Sequence, residues 1–126
     1  MSISFSGITI YTTNKNLLAN FLGQLLDVDT VANGCDVDLF YDGICFRFVN
    51  ISSDNREKVV PTDLNFLMDT SEELEALIKK GRFLLYRKEE LSREIIIEDK
   101  SGVFYLIDMD GRRWSFRTDS THVRSC

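Results

Sequence analysis

Apolar and polar residues alternate at the start of the chain, where Ile8, Ile10 and Thr12 interleave with Thr9, Tyr11 and Thr13. A period of two puts one set on each face of a strand, so a half-buried strand is expected. The period then changes. Leu17, Leu18, Phe21, Leu22, Leu25 and Leu26 recur every three or four positions, which keeps one face of a helix apolar. Asn14 precedes that stripe and suits an N-cap, because its side-chain oxygen accepts from the free amides of the first turn. Three short strand-like runs follow at 28–32, 36–41 and 44–51, with Val37, Leu39 and Tyr41 forming the inward face of the second. Asn33-Gly34 and Asp42-Gly43 separate them, and both dipeptides suit hairpin turns that need positive φ.

After a polar stretch at 51–61, which ends at the single proline and reads as a linker, the order restarts. Leu64, Phe66 and Met68 alternate as a strand, and Thr70 with Glu73 matches a capping box in which each side chain satisfies the other's free backbone amide. Leu74, Leu77 and Ile78 make the buried stripe of a second helix, with Lys79 and Lys80 at its negative end and Gly81 placed to stop it. Strand-like runs are expected at 83–87, 94–98, 103–108 and 112–117. The turn sequences agree in detail: Asp42-Gly43-Ile-Cys-Phe46-Arg-Phe48 and Asp110-Gly111-Arg-Arg-Trp114-Ser-Phe116 both read DG-x-x-aromatic-x-Phe. Gly43 and Gly111 lie 68 positions apart and the opening strands at Gly7 and Asp63 lie 56 apart, so the second half carries about 12 extra residues, assigned to an insertion at 88–99. The chain is one β-α-β-β-β unit written twice, with modules at about 7–50 and 63–118 of a single α+β domain.

Composition narrows the class. The 126 residues are 44% hydrophobic with a net charge of −5, which excludes disorder and argues against a clustered basic nucleic-acid footprint. No apolar run approaches the roughly 20 residues of a membrane span. The N-terminus lacks a basic region followed by an apolar core, so no signal peptide and a cytoplasmic location are expected. Cys35, Cys45 and Cys126 form no CxxC pair and read as reduced thiols. The one histidine, His122, stands in a polar tail, so a His-based triad or His-rich metal site is not expected.

Tandem β-α-β-β-β units resemble the vicinal oxygen chelate superfamily, which includes glyoxalase I, extradiol dioxygenases, and fosfomycin- and bleomycin-resistance proteins. Asp108-Met109-Asp110-Gly111-Arg112-Arg113-Trp114 resembles the family's D-P-D-G-N-x-x-E-hydrophobic ending. Residues 14–27 resemble its D-x-x-x-S-x-x-F-Y-x-x-x-L-G helix, with Phe21-Leu22 at F-Y and Leu26-Asp27 at L-G. The resemblance implies a curved, partly open barrel-like sheet around a central cavity, and a homodimer. It also implies four positions where metal-dependent members place ligands. Here those positions hold Gly7, Arg47, Asp63 and Ser115. Glycine offers no side chain, arginine is permanently cationic and serine is a poor ligand, so neither a metal nor any other cofactor is expected.

Strand alternation assigns Tyr11, Arg47, Asp63, Asn65, Arg113 and Ser115 to the wall of the cavity as ligand-binding candidates, with Arg117 beside them. Guanidiniums there suit a carboxylate or phosphate. The alternative for Arg47 is a structural ion pair with Asp63. Three functions follow: binding of a small, anionic or aromatic molecule without a catalytic metal; a metal-dependent lyase, isomerase or dioxygenase; or a degenerate module for protein interaction. The first is the expectation, with a small-molecule ligand, no nucleic acid and no membrane.

Overall fold

A computed structural model describes residues 2–52, 62–87, 95–100 and 102–118. The chain divides into two compact units, Met1–Val59 and Val60–Cys126. The first runs β1 (Gly7–Thr12), α1 (Lys15–Leu26), β2 (Thr30–Asn33), β3 (Asp36–Tyr41) and β4 (Ile44–Asn50). The second repeats the order as β5 (Asp63–Met68), α2 (Ser71–Arg87), β6 (Ile96–Lys100), β7 (Val103–Ile107) and β8 (Arg113–Thr118). Each unit forms its own four-stranded sheet, ordered β1-β4-β3-β2 and β5-β8-β7-β6. The first and last strands of a unit pair in parallel and the remaining pairs are antiparallel. Both sheets are open, with two edges each, and neither closes into a barrel.

The repeat extends to register. Gly7 pairs with Cys45 and Asp63 with Arg113, in each case the second residue after the turn glycine. Thr9 opposite Arg47 therefore corresponds to Asn65 opposite Ser115, and Tyr11 opposite Val49 to Leu67 opposite Arg117.

The helices form for the reasons their sequences give. Asn14 Oδ1 accepts the Leu17 amide at 3.2 Å, and α1 stops where Asp27 turns left-handed at φ 61°. Leu18, Phe21, Leu22 and Leu25 are buried on the sheet side, where Ile10, Leu39, Phe46 and Phe48 form the facing layer. Each such side chain stabilises by about 1.5–3 kcal/mol when fully buried. The capping box of α2 closes in both directions: Thr70 N–H donates to Glu73 Oε1 at 3.3 Å, and Glu73 N–H to Thr70 Oγ1 at 3.1 Å. Leu74, Leu77, Ile78 and Leu84 cover the second sheet, in which Phe66 stacks on Phe116 with ring centroids 4.9 Å apart.

Several boundaries differ from expectation. Gly81 does not end α2, which runs through residues 83–87 instead of yielding a strand there. The reason is the stripe itself: Gly81 and Leu84 continue the buried series begun by Leu74, Leu77 and Ile78. α2 has 17 residues against 12 in α1, so part of the extra sequence in the second half lengthens the helix. β2 begins at Thr30 rather than 28, because the Val28 amide is still bonded to the Gly23 carbonyl at 2.9 Å. β6 begins at Ile96 rather than 94. The first hairpin turns on Gly34-Cys35, not Asn33-Gly34: Gly34 alone has positive φ, Asn33 stays paired with Asp36, and glycine leads the turn. The second turns as expected, with Asp42 and Gly43 both at positive φ. The linker residues 53–61, the insertion residues 88–94, His122 and Cys126 lie outside the described residues.

Candidate functional site on the open sheet faces

Alternation sorts each sheet into a helix-covered face and an open one. In the first unit Ile10, Phe46 and Phe48 are buried toward the helix, while Thr9 and Tyr11 are exposed and Arg47 and Val49 half-buried on the other side. In the second, Trp114 and Phe116 face inward, and Asp63, Asn65, Leu67 and Arg113 are exposed opposite them. All six candidate residues therefore occupy open-face positions of their own sheets. Ser115, however, is only 3% exposed.

Arg47 and Asp63, expected as an ion pair, each have a different partner within their own unit. Arg47 donates Nε to Asp38 Oδ1 at 2.8 Å and Nη2 to Oδ2 at 3.0 Å, across the β3–β4 ladder. Asn33 adds an amide donor to Asp38 Oδ2 at 3.0 Å. Asp38 is buried, and the Arg47 hydrogen bonds hold its pKa below the usual carboxylate value despite that burial. Cys45 lies beside the pair; burial first, and the Asp38 charge second, push its thiol pKa up, so it is not an activated nucleophile.

Asp63 is held by Arg113, with Nε to Oδ1 at 3.0 Å and Nη2 to Oδ2 at 2.8 Å. Those hydrogen bonds lower the Asp63 pKa and raise that of Arg113. Both side chains are 48% exposed, so solvent screens the pair. The Arg113 guanidinium also lies over the Tyr105 ring, 5.2 Å from its centroid. The two pairs are not copies of each other: one spans the last strand and its antiparallel neighbour, the other the last and first strands.

The residues at the four family ligand positions do not fit a divalent cation. A Cβ on Gly7 would lie 2.6 Å from the Cys45 carbonyl oxygen, so no side chain enters there without moving backbone. Arg47 is a cation, both Asp63 oxygens already accept from a guanidinium, and Ser115 is a buried neutral hydroxyl. Among the described residues no three of His, Cys, Asp or Glu come together.

Asp38 and Tyr105 stand outside the residues that strand alternation singles out, and Asp108 enters there only through its motif. Asp108 is the buried centre of the β7–β8 loop. Its Oδ1 accepts the amides of Asp110 and Arg112 at 2.9 and 3.1 Å, and its Oδ2 accepts Arg112 Nη1 and Trp114 Nε1, both at 2.9 Å. The Asp-Met-Asp-Gly-Arg motif is therefore spent on shaping a loop, and Arg112, 4% exposed, is unavailable to a ligand.

No protein-family model matches the sequence, and no curated protein matches it. Solved structures do. The fosfomycin resistance protein FosX from Listeria monocytogenes is 14% identical with a TM-score of 0.68, covering 97% of this chain and 95% of its own. An integron cassette protein from the mobile metagenome of V. cholerae is 18% identical at TM-score 0.66, covering 94% and 98%. A glyoxalase/bleomycin resistance protein from Albidiferax ferrireducens T118 is 16% identical at TM-score 0.62, covering 90% and 97%. The chain thus has the fold of the glyoxalase and bleomycin-resistance proteins. No helix among the described residues is long and apolar enough to cross a membrane.

Proposed function

We propose that this protein binds a small anionic or aromatic molecule on its open sheet faces and releases it unchanged, without a catalytic metal. The observation that carries the reading is the donor set at the four family positions. A glycine pressed against backbone, two residues locked in separate ion pairs and a buried hydroxyl provide neither cation ligands nor a general base. The open faces meanwhile keep what ligand sites use, exposed apolar and aromatic groups such as Tyr11, Phe40 and Leu67 beside a few polar ones. The same reading takes the protein as a homodimer, which light scattering on the eluted protein checks.

The test combines elemental analysis of the purified protein with a thermal-shift screen of aromatic and anionic compounds. The expected result is less than stoichiometric divalent metal and a raised melting temperature with at least one compound, since a ligand of the folded state alone must stabilise it. One tightly bound divalent ion per chain, or a screen in which nothing shifts the transition, overturns the reading.

A further inference from the structure

We infer that the anionic group of the ligand is taken by Arg117 on β8, with Lys100 on β6 as a second cation, and not by Arg47 or Arg113. This rests on the binding reading above and specifies the charge of its ligand.

Three observations carry it. Of the three open-face arginines on the closing strands, Arg47 and Arg113 each give two donors to one carboxylate, so their charge and fork are already matched. Arg117 forms no ion pair with any described residue. Next, Arg117 lies beside Leu67, which is 61% exposed, and on its other side the β7–β8 register, paired up to Phe104 opposite Phe116, extends by one residue toward Val103, whose own partner on β6 is Lys100. That row of the open face holds two cations and two apolar residues and no carboxylate, in a chain of net charge −5. Finally, the repeat supplies an internal control. The position of Arg117 is held by Val49 in the first unit, opposite Tyr11 as Arg117 is opposite Leu67. The same sheet folds with valine there, so the fold does not require a guanidinium.

The chemistry defines the ligand class. An arginine half-buried in a sheet face, its fork unpaired among the described residues, takes a carboxylate or phosphate through two parallel hydrogen bonds. Asn65, exposed in the neighbouring row, adds an amide donor, and Leu67 and Val103 offer an apolar flank. The ligand is an organic acid or phosphate ester with an apolar or aromatic body.

The test is titration calorimetry on the full chain in phosphate-free buffer with benzoate, phenyl phosphate and the neutral benzamide. Expected are binding of at least one anion, weaker binding of benzamide, and a loss of roughly tenfold or more in anion affinity in Arg117→Gln. Lys100→Gln should lose less, and the melting temperature of unliganded Arg117→Gln should match that of the wild type. Equal anion affinity in Arg117→Gln and wild type overturns the assignment while leaving the binding reading intact. So does benzamide binding as tightly as the anions. Failure of all three probes overturns the assignment; failure of the wider thermal-shift screen as well takes the binding reading with it.

Discussion

Asp38 and Arg47 stand opposite each other on β3 and β4, the guanidinium giving one donor to each carboxylate oxygen. The two ends of the pair differ in environment: the Asp38 side chain is 6% exposed and that of Arg47 43%. Removing the arginine leaves a buried carboxylate with only neutral partners, the Asn33 amide and the Cys45 thiol, whereas removing the aspartate leaves a guanidinium that can turn to water. Arg47→Ala is therefore expected to lower the melting temperature by several degrees and more than Asp38→Ala does. The double variant should recover much of that loss, and a cycle between Arg47 and Asp63 should be additive within error. Coupling of Arg47 to Asp63 rather than to Asp38, measured by urea unfolding, contradicts the observed pairing.

Acid should unfold this protein partly through Asp38. Its folded pKa lies below the unfolded carboxylate value of about 3.9. A depressed carboxylate contributes stability that is present above the unfolded pKa and lost as pH falls through the folded one. Asp38→Asn is thus expected to be less stable than wild type at neutral pH, with the gap closing below about pH 4. Asp63 is shifted in the same direction, but its exposure makes its share smaller. Urea midpoints measured across the acid range decide the matter; a gap that stays constant with pH rules out the ionised pair as its source.

The β7–β8 loop offers a stronger perturbation. Asp108 satisfies Arg112 and Trp114 inside the protein, and Arg112 is 4% exposed. Asp108→Ala removes the nearer of the two buried carboxylates beside that guanidinium and leaves Asp110 Oδ2 at 3.8 Å, a defect expected to cost about 3 kcal/mol. Trp114 is the single tryptophan, so its emission reports the site directly and should shift to the red. An unshifted emission with a cost under about 1 kcal/mol would show that the network is not what shapes the loop.

How much of this was legible in sequence follows from range. Both N-caps and the inward strand faces depend on residues within one or two turns and agree with expectation, as does the element order except at 83–87, where α2 continues in place of a strand. The Asp38–Arg47 pair was also within reach: a two-residue turn at Asp42-Gly43 fixes residue 38 opposite residue 47. The family pattern points Arg47 toward Asp63 instead, and so away from the partner that the turn sets. The partner of Asp63 depends on parallel pairing of strands fifty residues apart, which no local signal sets. The loop built by Asp108 shares its Asp-Gly dipeptide with the tight turn at Asp42-Gly43, yet five residues connect Ile107 to Arg113 there. The shared dipeptide concealed that difference in backbone.

Gly7 gives the most direct test of the proposal that binding here needs no metal. Glycine in an ordinary strand costs stability relative to alanine, so Gly→Ala there is usually favourable. At Gly7 the added Cβ would stand 2.6 Å from the Cys45 carbonyl oxygen, a backbone atom that also belongs to the β1–β4 ladder and cannot swing aside. Gly7→Ala is expected to destabilise, by about 1–3 kcal/mol as for other overpacked sites. Gly7→His should do at least as much and recruit no zinc or manganese in an elemental assay, because Arg47, paired with Asp38 in the same sheet, offers a cation and not a ligand. A Gly7→Ala protein as stable as wild type would remove the steric argument. A Gly7→His protein that holds one divalent ion per chain would show that the ion pairs yield to a metal once a ligand is supplied.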